Sequence, residues 1–325
     1  MSDTTADPIV IVSGARTPMG SFQGTLGPVT APELGAAAIK SAMDKANVNG
    51  VDVDDVLMGC VLPAGQGQAP ARQAAFGAGM PASVPCTTVN KMCGSGMKTV
   101  MMAYDSLHAR PSDVVVAGGL ESMTNTPHIL PKMRAGQRLG HAQVLDHMFI
   151  DGLEDAYDKG RLMGTYAEDT AQHYQFTREA QDNYAIESLR RAKTANEDGS
   201  FASEMTSVSV KTRKGIAVVD QDEQPFTAQP DKIPSLRPAF AKDGTVTAAN
   251  SSSISDGAAA VVMMRASEAE RRGLTPMAKI IGTASHAREP KWFTTAPIGA
   301  MQSLLENVGW TSGEVGLYEI NEAFA

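Results

Sequence analysis

Residues 85–117 switch between two hydrophobic periods in a way that commits them to a layered α/β sheet. Pro85-Cys86-Thr87-Thr88-Val89 is short, β-branched and bounded by proline, which reads as a strand running into a turn. Beyond the turn, Met97, Val100, Met101, Tyr104 and Leu107 recur at three- and four-residue steps, the pattern of a helix with one apolar face. Asp113-Val114-Val115-Val116-Ala117 then reads as the next strand. Cys93 falls at or just before the helix start, where unpaired amides and the positive end of the helix dipole favour negative charge. Gly94 and Gly96 keep the turn free of side chains, so a substrate can approach the sulfur closely. A cysteine in a chain of this size is otherwise most often a small buried hydrophobe. Cys60, in the apolar strand Val56-Leu57-Met58-Gly59-Cys60-Val61-Leu62, and Cys86, in the strand before the turn, fit that description.

The same alternation extends on both sides. Ile9-Val10-Ile11-Val12 reads as a strand, followed by a loop through Arg16, Pro18 and Gly20, a helix over about 31–46 and the strand at 56–62. Up to about Gly119 this predicts a mostly parallel sheet covered on both faces. From Leu120 to about Asn250 the chain is richer in charge and irregular segments. It holds one clear helix near 179–196 that Thr177 caps, and a hairpin joining 206–210 to 216–219. This stretch reads as an insertion lying over the sheet domain. Alternation resumes with a buried strand at 258–264, a short helix over 267–272 and a strand near 279–283. The expected division is therefore 1–119 and 251–272 as a first sheet domain, 120–250 as an inserted loop domain, and 273–325 as a second sheet domain.

An internal repeat supports that second domain. Residues 38–48 lie over 300–310, apolar on apolar, and in both copies a short turn leads to an apolar strand, Val56-Leu57-Met58 and Leu317-Tyr318-Glu319-Ile320. The first copy continues to the Cys93 turn and a further strand, whereas the second reaches only Ala325. A second domain built like the first is expected to be incomplete in these residues.

Composition excludes several classes. The 325 residues carry a net charge of −8, which argues against a nucleic-acid binder. No apolar run approaches the roughly 20 residues that span a bilayer, so no membrane association is expected. Three cysteines without metal-ligand spacing give neither a disulfide framework nor a zinc site, which points to a reducing, cytoplasmic setting. Met1-Ser2-Asp3-Thr4-Thr5-Ala6-Asp7 is polar and acidic, unlike a signal or transit peptide.

Five segments taken together resemble the thiolase family, and most of all its short-chain acetyl-CoA acetyltransferases. They are Val89-Asn90-Lys91-Met92-Cys93-Gly94-Ser95-Gly96-Met97, Ala117-Gly118-Gly119-Leu120-Glu121-Ser122-Met123, Leu236-Arg237-Pro238-Ala239-Phe240, Asn250-Ser251-Ser252-Ser253 with Asp256-Gly257-Ala258-Ala259, and Asn321-Glu322-Ala323-Phe324-Ala325. The Arg16-Thr17-Pro18-Met19-Gly20 loop begins the match, which covers nearly the whole chain. The resemblance implies a layered fold of two related α/β domains, a loop domain that binds coenzyme A, and commonly a tetramer. It implies no permanently bound cofactor. Coenzyme A and acyl-CoA thioesters are substrates, and fatty acid metabolism is the setting.

Site roles follow from the resemblance position by position. Cys93 is the acyl nucleophile, and its amide donates to the thioester oxyanion. Asn321 holds a water in the other oxyanion hole; without the motif it reads as a strand-end asparagine satisfying a turn. Ser252 bonds the pantetheine arm, in what is otherwise a polar loop. Leu153, Met163, Phe240, Phe293, Ala323 and Phe324 line the coenzyme A and acyl channel. Leu162 precedes Met163 where relatives usually carry histidine, and Phe293 stands where they often carry methionine, which implies a tight acyl pocket. At the nucleotide end Pro225 replaces an arginine and Lys232 a serine. Lys232 is either a point charge for a phosphate or a solvated surface lysine.

The family also carries a histidine in a Gly-His-Pro motif and a second cysteine in Cys-x-Gly. None of His108, His128, His141, His147, His173 and His286 lies in such a motif. Without a general base and acid, each typically worth ~10²–10⁴ in rate, residues 1–325 alone are expected to be inactive. They are also expected to be poorly stable, with sheet edge and apolar surface exposed. The rival readings are a non-catalytic acyl-CoA-binding or assembly subunit, a 3-ketoacyl-CoA thiolase of broader chain length, and a ketoacyl synthase, against which Glu322 in the terminal motif argues.

Overall fold

A computed structural model describes residues 7–110 and 113–325, so the acidic N-terminal stretch, Asp7 apart, lies outside the described residues. In chain order the strands are β1 (Ile9–Arg16), β2 (Gly20–Ser21), β3 (Asp55–Gly59), β4 (Cys86–Val89), β5 (Val114–Ser122), β6 (His128–Ile129), β7 (Leu145–Asp146), β8 (Val208–Thr212), β9 (Gly215–Val219), β10 (Ser255–Arg265) and β11 (Ala278–Lys279). The helices are α1 (Ala31–Lys45), α2 (Pro70–Gly77), α3 (Ser95–Ala109), α4 (Met163–Tyr174), α5 (Arg178–Glu197), α6 (Gln224–Thr227), α7 (Ala266–Arg271) and α8 (Ala296–Val308).

These elements form two compact units. The first comprises Met1–Gly152, Asp198–Gln224 and Ile254–Ile280, and is built on a seven-stranded sheet of order β11-β1-β10-β5-β3-β4 with β2 beside β10. The alternation of side chains explains why both faces are covered. Val56, Met58, Val114 and Val116 point to one face, where α1 and α2 bring Ala38, Ile39, Ala42, Ala71 and Ala74. Leu57, Val115, Ala117 and Met263 point to the other, where α3 brings Ala103 and Leu107. Helix α1 starts at a capping box in which Thr30 and Glu33 satisfy each other's end of the first turn, and Lys45 closes its last turn.

The sheet is mixed rather than mostly parallel. β3 pairs in parallel with β4 and β5, but β10 is antiparallel to both β5 and β1. Parallel order needs a helical crossover between successive strands, and β10 returns to the sheet after the long insertion instead.

The unit boundaries also differ from the expected division. Residues 120–152 and the β8–β9 hairpin belong with the sheet. Val208 and Val210 pack on Leu26 and Leu34, and Arg16 holds Asp222 with two hydrogen bonds (2.7 and 3.0 Å) and Glu204 at 2.5 Å. Periodicity cannot report such long-range ion pairs, so the hairpin reads as part of the insertion.

The second unit, Leu153–Glu197, Pro225–Ser253 and Ile281–Ala325, contains α4, α5 and α8. Thr177 caps α5 as expected, its Oγ1 accepting from the Ala180 amide at 3.1 Å. Glu168 of α4 accepts from the amides of Thr245 and Val246, and Asp182 of α5 accepts from Asn250 Nδ2 at 3.0 Å. Residues 281–325 pack within this unit through Thr170 with Thr294 and Glu322 with Tyr184.

The internal repeat extends further than the helices alone suggest. Both α1 and α8 begin Thr-Ala-Pro, at Thr30-Ala31-Pro32 and Thr295-Ala296-Pro297. Both lead to a short 3-10 turn closed by a capping box, Asn49 with Asp52 and Thr311 with Glu314. The expected strand at 317–320 is not formed, and Leu317 is 81% exposed. An isolated extended segment leaves its amides and carbonyls unpaired. The first copy has β4 and β5 beside it, whereas 317–320 has no such neighbour among the described residues.

One contact fixes where α3 starts. A Cβ on Gly59 would lie 2.7 Å from the Ser95 carbonyl carbon and 2.8 Å from the Gly96 nitrogen, so only glycine lets the first turn of α3 rest on β3. Thr99, fully buried, donates from Oγ1 between the carbonyls of Gly96 (2.7 Å) and Gly118 (2.8 Å). Gly59→Ala is expected to destabilise the protein by about 1–3 kcal/mol, the usual range for overpacking. Gly313→Ala, with nothing within 4 Å of the added carbon, is expected to cost under about 0.5 kcal/mol. Urea unfolding midpoints of the two variants check this.

Candidate functional site

The turn before α3 is a reversal held by backbone hydrogen bonds. β4 ends at Val89, whose carbonyl accepts from the Cys60 amide at 2.9 Å, and the chain must then turn sharply into α3. Met92 takes φ +49°, a left-handed conformation costing a residue with a Cβ about 1–2 kcal/mol. Its neighbours hold it there. Asn90 Oδ1 accepts from the Met92 amide (3.0 Å), and the Met92 carbonyl accepts from the Ser95 amide (3.0 Å) and Ser95 Oγ (2.6 Å). Ser95 Oγ in turn accepts from the Lys91 amide at 2.9 Å. Cys93 rides on this turn, exposed, two residues before the first residue of α3. Gly94, the N-cap, offers no side-chain hydrogen bond to the first-turn amides.

The other two cysteines are screened. Cys60 is buried, and burial together with the nearby negative charge of Glu121 pushes its thiol up to about 12. Burial also raises Cys86, against the pull of Arg72. Glu121 itself accepts from the amides of Val61 (2.7 Å) and Leu62 (3.2 Å). Burial pushes its carboxyl up while these two amides pull it down, and burial prevails.

Three separated motifs meet at this end of the sheet. Asp256, fully buried, accepts from Ser122 Oγ (3.1 Å) and the Thr124 amide (3.0 Å). Two residues on, Ala258 pairs with the Arg16 loop: its amide donates to Thr17 Oγ1 and its carbonyl accepts from the Thr17 amide.

In the second unit the expected channel residues fall into one group and several outliers. Phe240 and Phe324 meet edge to face with centroids 6.4 Å apart, and the Ser252 amide donates to the Ala323 carbonyl at 2.8 Å. The Phe240 ring lies against Gly164 at the start of α4, next to Met163. Phe293 packs edge to face on Tyr166 of α4, with centroids 6.3 Å apart. Leu153 ends a π-helical turn at Phe149–Leu153. Asn321 is exposed, its carbonyl accepting from the Ala323 amide at 3.0 Å, and Lys232 is exposed in a 3-10 turn. Arg161, beside Leu162, stacks on Tyr166 at 3.9 Å and pairs with Asp169. Among the described residues no cluster of His, Cys, Asp and Glu could hold a metal, and no helix is long and apolar enough to cross a membrane.

Residues 9–267 match the family description "Thiolase, N-terminal domain" and residues 274–325 match "Thiolase, C-terminal domain". The chain belongs to the thiolase family. An acetyl-CoA acetyltransferase of Cupriavidus necator is 47% identical over 320 residues, covering 98% of this chain and 81% of that protein. Acetyl-CoA acetyltransferase 2 of Arabidopsis thaliana is 50% identical over 321 residues, covering 98% and 79%. The crystal structure of the Bacillus anthracis acetyl-CoA acetyltransferase superposes with a TM-score of 0.94 at 37% identity, covering 98% of this chain and 80% of that one.

Within this thiolase, the sequence reading missed Glu121, Asp256 and Asn90 as groups that shape the site, and Glu322 as an anchor. Glu322 accepts from Tyr184 (2.9 Å) and from Ser188, tying the terminal motif to α5. For Glu121 a signal was present, since it is a carboxylate inside a strand that is otherwise apolar and largely buried.

The thiols should separate cleanly on alkylation. With its thiol near 12, Cys60 is thiolate to only about 10⁻⁴ at pH 8, and burial restricts access as well. Iodoacetamide at pH 8 is expected to label Cys93 first in the folded protein, with Cys60 reacting only after denaturation. Peptide mass mapping of the labelled sites, beside Cys93→Ser, checks this.

Proposed function

We propose that this thiolase is an acetyl-CoA C-acetyltransferase, cleaving acetoacetyl-CoA with coenzyme A and, in reverse, condensing two acetyl-CoA. One observation carries the reading: Cys93 is exposed on a strained turn at the start of α3, in a chain 47–50% identical to two acetyl-CoA acetyltransferases. In the cleavage direction the Cys93 sulfur bonds to the keto carbon. The bond between that carbon and C2 breaks, and C2 takes a proton as acetyl-CoA leaves. The acetyl group stays on Cys93 as a thioester until the coenzyme A thiol takes it, restoring the free cysteine. The Cys93 amide donates to the oxyanion of the acyl step, and Asn321 holds a water for the other.

The coenzyme A arm lies along Ser252, Ala323, Phe324, Phe240, Met163 and Leu153, with Lys232 near the nucleotide. Phe293 narrows the acyl end, because a rigid ring held edge-on by Tyr166 leaves less room than a flexible methionine. A cytoplasmic homotetramer working in fatty acid metabolism is part of the same proposal, resting on the family resemblance and on three free cysteines.

The test is coenzyme A-dependent loss of acetoacetyl-CoA by the full-length protein. Cys93→Ser is expected to lower kcat at least about 10³-fold, the scale of losing a covalent nucleophile. Mass analysis after incubation with acetyl-CoA should place an acetyl group on the Cys93 peptide. A wild-type rate from Cys93→Ser would overturn the mechanism, and equal rates with longer 3-ketoacyl-CoA substrates would overturn the chain-length assignment.

A further inference from the structure

Cys93 is exposed and its placement comes from the turn beneath it, so whatever holds that turn bears on the chemistry. On the helix side the anchor is Ser95, whose hydroxyl links the Lys91 amide to the Met92 carbonyl. On the strand side it is Asn90, and Asn90 is not free-standing. Its Nδ2 donates to the Val61 carbonyl at 3.2 Å while its Oδ1 accepts from the Met92 amide at 3.0 Å. Val61 belongs to the segment that leaves the sheet after β3, where the chain loses its ladder partners. There Glu121, at the end of β5, takes the Val61 amide on Oε2 and the Leu62 amide on Oε1. A line of hydrogen bonds thus runs from Glu121 through the Val61 peptide and Asn90 to the left-handed residue beside Cys93.

We propose that Glu121 is a positioning residue for Cys93, acting through the Val61–Leu62 backbone and Asn90. Glu121 does not touch the reacting atoms. Its carboxylate fixes where the Val61 carbonyl points, that carbonyl orients the Asn90 amide, and Asn90 holds Met92 in the conformation that presents the sulfur. Without Glu121 the 61–62 segment is free to turn its carbonyl away, Asn90 loses its support, and Met92 relaxes towards ordinary φ. The cost is one of geometry, for which a displacement of about 1 Å is worth up to about 10²-fold in rate. The role rests on Cys93 being the nucleophile.

The experiment compares Glu121→Gln, Asn90→Ala, Asn90→Asp and the Glu121→Gln/Asn90→Ala pair in the full-length protein. It measures kcat and KM for acetoacetyl-CoA thiolysis and the second-order rate of Cys93 alkylation by iodoacetamide. Rates are normalised to the folded fraction measured by circular dichroism, so loss of folded protein does not register. Each single variant is expected to lower kcat by about 10-fold or more with KM within about twofold, and to slow alkylation in parallel. The double variant should fall no more than about twofold below the worse single, because both residues act on one line.

Asn90→Asp keeps the acceptor for Met92 but loses the donor to Val61, and should behave like Asn90→Ala. It stands on an exposed turn, so it tests the line even if Glu121→Gln does not fold. A wild-type kcat in Glu121→Gln or in Asn90→Asp, or losses that multiply in the double variant, would overturn the proposal. Failure of the nucleophile reading is told apart by Cys93→Ser, which would then retain activity.

Discussion

The contact between Gly59 and the first turn of α3 is the constraint on which this site depends. A helix normally stands about 10 Å from the sheet it covers, separated by side chains, but here backbone meets backbone. That approach puts the Cys93 turn directly over the ends of β3 and β4 and leaves no room for a longer loop. The chain must therefore reverse in the few residues between Val89 and Ser95, and the left-handed φ at Met92 is the geometric result.

Polar groups that are far apart in sequence cluster at the same edge of the sheet. Each strand that ends at this edge leaves amides without ladder partners. Glu121 covers Val61 and Leu62, Asp256 covers Thr124, and Thr17 covers Ala258. Every one of these partners comes from a different strand end, so the motifs are distant in sequence and adjacent in space. A buried carboxylate is costly unless it is hydrogen-bonded, and these carboxylates are bonded to backbone amides that would otherwise be orphaned themselves.

Local pattern was enough to find the elements that place Cys93. The strand at 86–89, the helix from 95 and the strand from 114 follow from hydrophobic period, but the face of α3 differs from the expected stripe: Met97 is 71% exposed, and Thr99, Ala103 and Leu107 are the residues buried against the sheet. Strand direction was not legible, since the antiparallel entry of β10 depends on a partner more than 130 residues away. Nor was the attachment of the β8–β9 hairpin to the sheet, which rests on the Arg16 ion pairs. At Leu317–Ile320 an apolar run read as a strand, but period reports only which side chains could be buried. Pairing decides whether a strand exists. The residues expected from the family motifs to line a channel divide the same way. Phe240, Phe324, Ser252 and Ala323 converge through contacts invisible to local pattern, and their grouping in the sequence reading came from the family motifs alone.

Exposure of the sulfur explains why the turn is built from hydrogen bonds. A sulfur proposed to meet substrate cannot be held by close packing, since the atoms that would pack against it would also block its approach. Its position has to come from the backbone on either side. Four hydrogen bonds from Asn90 and Ser95 to Lys91 and Met92 supply it, each worth about 0.5–1.5 kcal/mol net. Together they exceed the roughly 1–2 kcal/mol that the left-handed Met92 costs. The margin is a few kcal/mol at most, so removing one anchor is enough to let the turn populate other conformations. Because Asn90 itself is oriented by Val61, control of the sulfur extends beyond the motif that contains it, to a carboxylate on the neighbouring strand.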